Sequence, residues 1–474
     1  MKKYIKFIPV IIIILIQACG GDSTSSNSQK LTGSINFLDQ EGNNSALQVS
    51  GTVELYLGVE DRVEYYDPNY PFVGPDFDEY WNTDHRTLNE PYHLVETDIN
   101  GNFEIDNVES GKYICVYSAP GFGWHKRILE IDSDYAVTLY MRESIVNPLI
   151  IDADISWGPD QHIIINDDLA IMNNNKLTIL ENTIIEFEDA SLIVIGELEA
   201  IGTITEPIIF TSASELPGKS DWDKIYIAAN TGELSMQYSI IQWPYLGFDC
   251  ANPISLSNTA IINVGFDGLN ILECSSQIDN CLIFDCENGI YLTSSNVSTD
   301  QPEIHQTIIS NNSGNGVEAF ESSPEILNSV FRNNSYHVFG RYSAHINIEH
   351  CAFFDSEDAA IRSYREEEYD DDFTIYKCII DDDENLIHCA RSAPMLATNN
   401  NLISENGYVF ELYYSLGTNI QVTATNNWWG TTNEFEIQEL IWDENDQPGD
   451  SYDAGVVEYN PWSNSEIEDA GPQP

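Results

Sequence analysis

The chain has 474 residues and a formal net charge of −58 at pH 7, from 19 Lys and Arg against 77 Asp and Glu. A negative field of this strength argues against DNA, RNA and anionic lipid headgroups as partners, and it makes divalent cations natural companions. An acidic surface is more often a solubility device than a binding site, so the composition does not name a ligand.

The first residues have the pattern of an export signal. Three lysines come first, a short apolar run covers residues 8–16, and Ala18 precedes Cys19. The run is too short to span a bilayer. It resembles the signal peptide of bacterial lipoproteins, which implies that residues 1–19 end at a lipidated Cys19 and that residues 20–30 are a flexible tether. We therefore expect a lipid-anchored protein of the bacterial cell envelope. The anchor would lie in the outer membrane, with the protein facing either the periplasm or the cell surface. Plain secretion is the alternative.

Residues 31–142 form the first predicted folded unit. Apolar and polar residues alternate along this segment, as in the strands of an antiparallel sandwich. The turn at residues 97–103 and the Gly111-Lys112-Tyr113 sequence that follows it resemble the carboxypeptidase regulatory-like (transthyretin-like) β-sandwich module. A long insertion rich in aromatic residues, 65–92, departs from that module. We expect it to pack on itself or on the neighbouring domain, with recognition of a glycan or a protein as the alternative.

A repeated tripeptide, one small residue followed by two apolar residues, organises most of the remaining chain. Its eight copies are Ser239-Ile240-Ile241, Ala260-Ile261-Ile262, Cys281-Leu282-Ile283, Thr307-Ile308-Ile309, Ser329-Val330-Phe331, Cys351-Ala352-Phe353, Cys378-Ile379-Ile380 and Asn401-Leu402-Ile403. Successive starts are separated by a nearly constant interval that is far longer than a heptad, as is typical of a solenoid. Each period is predicted to contain two or three short parallel strands. Because both later positions are apolar, the sequence does not tell which of them faces the interior.

The two ends of this region resemble a known family. The opening at residues 177–212 and the closing Asn426-Asn427-Trp428-Trp429-Gly430-Thr431 are similar to right-handed parallel β-helix proteins of the pectin-lyase-like superfamily. The resemblance implies an all-β chain in which residues 147–462 form the β-helix, preceded by the small antiparallel β-sandwich. Residues 463–474 remain as an acidic tail.

Eight cysteines follow Cys19, and their spacings match no zinc signature. Cys351 and Cys378 hold the same place in successive periods, where strands would lie about 4.8 Å apart. Stacked, buried thiols are the favoured interpretation, over a disulfide.

A row of polar residues lies four residues after most of the tripeptide starts. Asn side chains in such a row would stack and exchange amide hydrogen bonds. Asp355, Asp382 and Glu405 belong to this row on adjacent periods, where three carboxylates would repel each other unless they were splayed, protonated or bridged by a cation. They are the candidate ligands of a calcium site, and calcium is the one cofactor that the sequence suggests.

Six of the nine cations of the solenoid lie in three neighbouring periods. Arg341, Arg362 and Arg391 follow their tripeptide starts at nearly the same distance, so we expect them to share one face. Guanidinium groups beside aromatic rings suit an acidic polysaccharide. A structural alternative is that the arginines neutralise the acidic insertion at residues 366–372. The candidate ligand-binding residues are Arg341, Tyr342, Arg362, Tyr364, Arg365 and Arg391.

Three classes of function remain open. We favour non-catalytic binding of a glycan or another surface ligand on the β-helix, with the sandwich as a spacer or a second binding module. The pectin-lyase-like resemblance implies the alternative, a polysaccharide lyase or glycoside hydrolase, in which Arg362 or Arg365 would be the base and the carboxylates would hold a metal. The fuller motifs of pectate lyases and polygalacturonases are missing from the sequence, which weakens this alternative. A structural stalk is the third class, and the fold alone does not choose among them.

Overall fold

The computed structural model describes residues 28–57, 65–294, 301–364, 372–382, 385–390, 395–404, 406–413, 421–446 and 455–474. Over these residues the chain consists almost entirely of β-strands and turns, and the predicted all-β fold, a parallel β-solenoid preceded by a small β-sandwich, is confirmed. The predicted signal peptide and Cys19 lie outside the described residues. Within the described part of the chain, no helix has the length and apolar character needed to cross a membrane.

Seven strands precede the solenoid and form two sheets. One sheet contains Gln29–Leu38, Asn102–Val108 and Tyr135–Val146, and the other contains Thr52–Leu57, His93–Glu96, Gly111–Ala119 and Gly123–Ile131. The second of these is antiparallel throughout, whereas the first has one antiparallel and one parallel pairing. Side chains from both sheets, such as Leu31 and Val53, form one buried cluster. The end of Tyr135–Val146 also pairs with the strand Gln161–Ile165, so this sheet continues into the solenoid.

Each coil of the solenoid contributes strands to three parallel sheets. The first sheet contains Ile155–Trp157, Lys176–Leu180, Glu197–Ile201, Gln277–Asp279, Glu303–His305, Glu325–Leu327, His345–Glu349, Asp372–Tyr376, Met395–Thr398, Gln421–Thr423 and Val456–Glu458. The second contains Gln161–Ile165, Ile184–Phe187, Ile208–Ser212, Leu282–Phe284, Ile308–Ser310, Val330–Arg332, Ala352–Phe354, Ile379–Asp382 and Asn401–Ser404. Two longer strands, Glu233–Gln242 and Ile254–Ile262, run through both of these sheets.

The third sheet has thirteen strands among the described residues. They are Ile150–Ile151, Leu169–Ile171, Leu192–Val194, Ile225–Ile227, Phe248–Cys250, Asp267–Leu272, Asn288–Thr293, Val317–Phe320, Tyr336–Arg341, Ala359–Tyr364, Asn385–Ala390, Phe410–Tyr413 and Ile441–Trp442. Residues that point inward from all three sheets form one continuous buried core along the solenoid. Stacking coil upon coil buries an apolar interior that a single coil could not bury alone.

The register of the second sheet shows which residue of each tripeptide faces the core. The third residue points inward, as Ile283 does, and the second points outward, as Leu282 does. Two of the predicted copies are wrong by one residue, because the coils that they mark start at Thr259 and Asn400. The other six predicted starts keep their place in the register.

Sharp corners bound the strands of the second sheet. The strand Leu282–Phe284, for example, lies between Asn280 and Asp285, and both of these residues have positive φ angles, of 50° and 56°. Asn and Asp adopt this left-handed conformation more readily than most residues that carry a side chain. The abundance of Asn and Asp between the tripeptides therefore has a local cause, which is the geometry of the corners.

Two rows of polar side chains follow the corner after the second sheet. In the predicted outer row, Asn333 Nδ2 donates a hydrogen bond to Asn311 Oδ1 at 3.0 Å. A second, buried row lies one residue later, where Asn334 Oδ1 accepts from Asn312 Nδ2 at 2.8 Å and Asn334 Nδ2 donates to the Ile309 carbonyl at 3.0 Å. The outer row could be predicted from the sequence, whereas the buried row was not predicted.

The aromatic insertion covers the outer face of the second sheet. Its Tyr65, Val73, Phe77 and Trp81 are buried in one cluster with outward-pointing residues of that sheet. The sheet residues in this cluster are Ile184, Ile209, Ile240, Ala260, Ile262, Leu282, Phe284, Ile308 and Val330. The described part of the insertion therefore docks on the neighbouring unit, which is the favoured of the two predicted roles.

A buried ion pair fastens the insertion to the first coils. The Asp84 carboxylate accepts hydrogen bonds from Arg86 Nη2 at 2.8 Å, from Gln242 Nε2 at 3.1 Å and from Trp243 Nε1 at 3.0 Å. Arg86 Nη1 also donates to the Ser212 carbonyl at 2.6 Å. Burial alone would raise the pKa of Asp84, but the hydrogen bonds and the charge of Arg86 outweigh it and lower the pKa to about 2. The pair thus stays ionised at neutral pH.

The end of the chain closes the solenoid and then returns along the second sheet. The α-helix Glu434–Glu439 buries Ile437 in the core. Short 3-10 helices are formed by Glu79–Asn82, His85–Thr87 and Glu444–Asp446. In the tail, Gly471 N donates to the Lys377 carbonyl at 2.7 Å and Gln473 N donates to Asn328 Oδ1 at 3.2 Å. The predicted acidic tail is therefore a second cover on this side of the solenoid.

The eight cysteines among the described residues are buried, and no disulfide joins any two of them. Cys351 N donates to Cys378 Sγ at 3.4 Å, and the following residues of the two coils pair in register, as expected for stacked thiols. Burial raises the pKa of Cys281 and of Cys286 to about 12, so these thiols stay protonated and behave as small apolar residues.

Candidate functional site

The predicted arginines lie on the outer face of the third sheet. In the register of neighbouring strands, Arg341 lies beside Tyr364, and Arg362 lies beside Phe339. On the strand Tyr336–Arg341, Phe339 and Arg341 flank the buried Gly340, so both point away from the core. Arg362 lies beside Phe339 and therefore points away from the core as well. Arg341 and Arg362 share a face of the sheet, as predicted. Their positions along the paired strands differ by two residues, so they are not direct neighbours in the register.

Aromatic rings surround both guanidinium groups. Arg341 Cζ lies 5.3 Å from the ring centre of Phe320, 5.8 Å from that of Phe339 and 5.9 Å from that of Tyr342. Arg362 Cζ lies 4.9 Å from the ring centre of Tyr336, 5.2 Å from that of Phe339 and 5.8 Å from that of Tyr364. All of these side chains are half-buried. We call the group the arginine–aromatic patch: Phe320, Tyr336, Phe339, Arg341, Tyr342, Arg362 and Tyr364.

The two arginines differ in their charge partners. Arg341 Nη2 lies 2.5 Å from Oε1 of the buried Glu318, so a carboxylate neutralises it. Arg362 Nη1 instead donates to the Tyr336 hydroxyl at 2.5 Å, and among the described residues no carboxylate oxygen lies within 4 Å of its guanidinium. Arg362 is therefore the cation that the patch offers to an incoming anion.

A histidine adjoins Arg362 on the next coil. His388 pairs with Arg362 in the register of the third sheet. Burial, and then the charge of Arg362, lower the pKa of His388 to about 4. The imidazole is therefore neutral at pH 7, and it is a weak base.

The patch combines two kinds of recognition chemistry. A guanidinium group can donate two parallel hydrogen bonds to a carboxylate or a sulfate, and it does so with a charge that no physiological pH removes. Aromatic rings present flat apolar surfaces on which the carbon face of a sugar ring can lie. An acidic sugar carries both complementary features in one unit.

Two of the predicted calcium ligands face different surroundings. Asp355 is exposed at a corner, with Oδ2 3.5 Å from Arg332 Nη1. Asp382 is buried, accepts the backbone N–H of Ser356 at 3.1 and 3.0 Å, and lies 3.7 Å from Nε2 of His337. Burial would raise the pKa of Asp382, but His337 and Ser356 outweigh it and keep the pKa below its usual value. One carboxylate thus points to solvent and the other into the solenoid.

Three predicted site residues, Arg365, Arg391 and Glu405, lie outside the described residues. Within the part that the structure describes, no group of three or more His, Cys, Asp or Glu side chains is placed to hold a metal ion. The calcium site therefore stays a prediction.

Three aromatic residues of the patch were not predicted from the sequence: Phe320, Tyr336 and Phe339. Counting from the tripeptide starts did not find them, because the corner between the second and third sheets varies in length. Val338 and Ile361 occupy the same inward position, yet Ile361 lies one residue further from its tripeptide start than Val338 does. Aligning the inward apolar residues of the third sheet, rather than the starts, would have placed the aromatic residues beside the arginines.

Comparison with known families agrees with this architecture. A family model described as "Right handed beta helix region" matches residues 267–428, which include the whole arginine–aromatic patch. The solenoid is a right-handed β-helix. No curated protein matches the chain. Among solved structures, the chain is similar to a proposed carbohydrate-binding protein from Pseudomonas aeruginosa, with 14% identity over 24% of this chain and 89% of that chain and a TM-score of 0.15.

Proposed function

We propose that this chain is a lipid-anchored protein of the bacterial envelope that binds acidic glycans, without catalysis, on the arginine–aromatic patch. The observation that carries the proposal is Arg362, a cation that lies over three aromatic rings and has no carboxylate partner among the described residues. A uronate carboxylate or a sugar sulfate would pair with this guanidinium. The lipid anchor and the outer-membrane location rest on the sequence around Cys19.

The negative charge of the chain limits where an acidic glycan can be attracted. Other cations of the β-helix are neutralised locally, as Lys176 is by Glu197 at 2.5 Å and Lys224 is by Asp249 at 2.9 Å. An acidic glycan is thus repelled at long range, and among the described residues of the β-helix it meets a cation without a carboxylate partner at the patch. Because the Debye length falls from about 30 Å at 0.01 M salt to about 8 Å at 0.15 M, moderate salt should screen the repulsion more than the close contact. We expect binding to strengthen over this range.

Binding of purified protein to immobilised pectate, alginate and chondroitin tests the proposal. Arg362→Ala should weaken binding about 10- to 100-fold, as expected for the loss of hydrogen bonds to a charged group. Lys176→Ala is the matched control, because it removes the same charge from the outer face of the first sheet and should leave binding unchanged. Equal affinities for the wild type and Arg362→Ala would contradict the patch as the binding site.

The same incubations separate binding from catalysis. A polysaccharide lyase would release unsaturated uronates, which absorb in the ultraviolet, and a hydrolase would release reducing ends. If the wild type turns over a polysaccharide and Arg362→Ala does not, the patch is an active site and the proposed non-catalytic function is wrong. Failure to bind any of the three polysaccharides would favour the structural stalk.

A further inference from the structure

A cavity lies at the edge of the insertion, between residues 65–68 and the outer face of the second sheet. Its volume is about 400 Å³, within the range of roughly 300–1,000 Å³ typical of small-molecule sites. Ile308 and Val330 give it an apolar floor, and Tyr65 and Tyr66 line it from the insertion. The cavity is therefore part apolar and part aromatic, and it lies on a different sheet from the arginine–aromatic patch.

A buried hydroxyl group in this cavity has no hydrogen-bond partner among the described residues. Ser310 points outward from the second sheet between Phe284 and Arg332, and it is 2% exposed. Its Oγ has no hydrogen-bond partner among the described residues. Leaving a buried polar group unpaired is costly, so such groups nearly always find a partner in the protein, in water or in a ligand. A ligand hydroxyl in the cavity would satisfy Ser310.

An ion pair forms one side of the cavity. Arg332 Nη2 lies 2.5 Å from Oδ2 of Asp67, whose side chain is 2% exposed. The guanidinium also lies 4.9 Å from the ring centre of Phe354, which holds it in place. Asp67, together with Asp355 at 3.5 Å, balances the charge of Arg332, so the cavity offers no unpaired cation to an anion. This distinguishes it from the patch around Arg362.

Two amide side chains complete the polar side. Asn311 and Asn333 line the cavity at the corner after the second sheet, and a 3.0 Å hydrogen bond joins them. An amide group offers both a hydrogen-bond donor and an acceptor. The two linked asparagines can therefore form hydrogen bonds with neighbouring hydroxyl groups of one ligand. The corner geometry, set by the positive φ angles of both residues, holds the amides at a fixed spacing.

We propose that this cavity binds a neutral pyranose, as the end or a branch of a glycan. The aliphatic face of the ring would lie on Ile308, Val330 and the tyrosines. Its hydroxyl groups would pair with Ser310 Oγ and with the two asparagines. The site is independent of the acidic-glycan function proposed above, because it uses a different sheet and a different ligand class.

Isothermal titration and saturation-transfer NMR of the purified protein test this site with methyl glycosides of glucose, galactose and mannose as probes. We expect at least one probe to bind in the millimolar range. Ser310→Ala and Asn311→Ala should each weaken that binding about five- to tenfold, as for the loss of one hydrogen bond. Ser235→Ala, on the exposed face of the first sheet, is the matched control and should leave binding unchanged.

Two results would overturn the proposal. One is that none of the three glycosides binds at up to about 50 mM, well above the millimolar affinity expected. The other is that a glycoside binds equally well to the wild type, Ser310→Ala and Asn311→Ala, with thermal unfolding showing that both variants are folded. Arg362→Ala should leave glycoside binding intact, and Ser310→Ala should leave pectate binding intact. Failure of one site therefore does not imply failure of the other.

Discussion

The second and third sheets belong to the same coils, yet their outer faces are built differently. On the second sheet, outward residues such as Ile240 and Leu282 are apolar and fully buried, because the insertion covers them. On the third sheet, outward residues such as Phe339 and Arg362 are half-buried and form the arginine–aromatic patch. In a solenoid, an aliphatic residue that points outward thus indicates a covering segment. Aromatic residues beside a cation indicate a surface for a ligand.

The largest expected effect is the loss of stability when the cover of the second sheet is damaged. Trp81 is 2% exposed and packs in the cluster between the insertion and the sheet. Trp81→Ala should lower the free energy of unfolding by about 3–5 kcal/mol, as large cavities in buried clusters do. Urea denaturation followed by circular dichroism measures the change. Tyr364→Ala on the third sheet is the control and should cost less than about 1.5 kcal/mol, since that ring is half-buried. Equal losses would contradict the distinction between the two faces.

A buried lysine ties the same cover to the sandwich. Lys126 Nζ donates to the carbonyls of Trp81 at 2.7 Å and of Thr83 at 2.8 Å. Lys126→Met leaves these carbonyls without a donor, so it should lower the free energy of unfolding by about 1–3 kcal/mol. Chemical denaturation at pH 7 measures the loss. A change within error would contradict the role of this lysine in holding the cover.

The pH dependence of that variant provides a second readout. Burial lowers the pKa of Lys126 from 10.5 to about 7. Between these two values the unfolded chain binds a proton that the folded chain has released, so this group makes the free energy of unfolding rise with pH, by at most about 1.4 kcal/mol per pH unit. The difference in stability between the wild type and Lys126→Met should therefore grow from pH 7 to pH 10. A constant difference over this range would show that Lys126 keeps an ordinary pKa.

The repeat itself could be predicted from the sequence because its signal is local. Inward and outward positions of the second sheet alternate within each tripeptide, and a nearly constant period follows from stacking coils of similar size. The register was wrong by one residue at Thr259 and Asn400. At these coils the outward position holds Ala260 or Asn401 instead of a large aliphatic residue. The isoleucine after the inward residue therefore filled the third place of the predicted tripeptide, which shifted the predicted start by one.

The candidate site could be predicted only in part. Arg341 and Arg362 were placed on one face because their spacing from the coil starts is similar. Their columns and their aromatic neighbours depend on the length of one corner, which the tripeptide does not encode. Asp355 and Asp382 of the predicted carboxylate row have different surroundings, because Asp382 turns inward to accept the Ser356 N–H. Side-chain direction at a corner is a tertiary property that spacing alone does not reveal.

A smaller effect is expected from the ion pair inside the patch. Glu318→Gln removes the charge that neutralises Arg341 while it keeps an acceptor for Asn315 Nδ2, which lies 2.7 Å from Glu318 Oε2. Affinity for pectate should rise up to about fivefold, the equivalent of about 1 kcal/mol, because the Arg341 side chain is 32% exposed and solvent screens the charge that the substitution frees. Binding titrations measure the change. Glu325→Gln, on the exposed face of the first sheet, makes the same change of charge as a control. Weaker binding by Glu318→Gln would show that the carboxylate positions Arg341 for the ligand rather than competes with it.

The smallest effect is expected at the tail, the second cover. Lys377 Nζ lies 2.6 Å from Asp469 Oδ2, but the Asp469 side chain is 57% exposed, so Lys377→Ala should change the free energy of unfolding by less than about 1 kcal/mol. The remaining difference should vanish in 1 M salt, where the Debye length is about 3 Å. The tail should stay in place, because the backbone of Gly471 donates to the Lys377 carbonyl and Gly471 is itself buried. Protection of the C-terminus from carboxypeptidase digestion measures this attachment. Rapid digestion of Lys377→Ala would show that the tail is held by charge rather than by backbone pairing and burial.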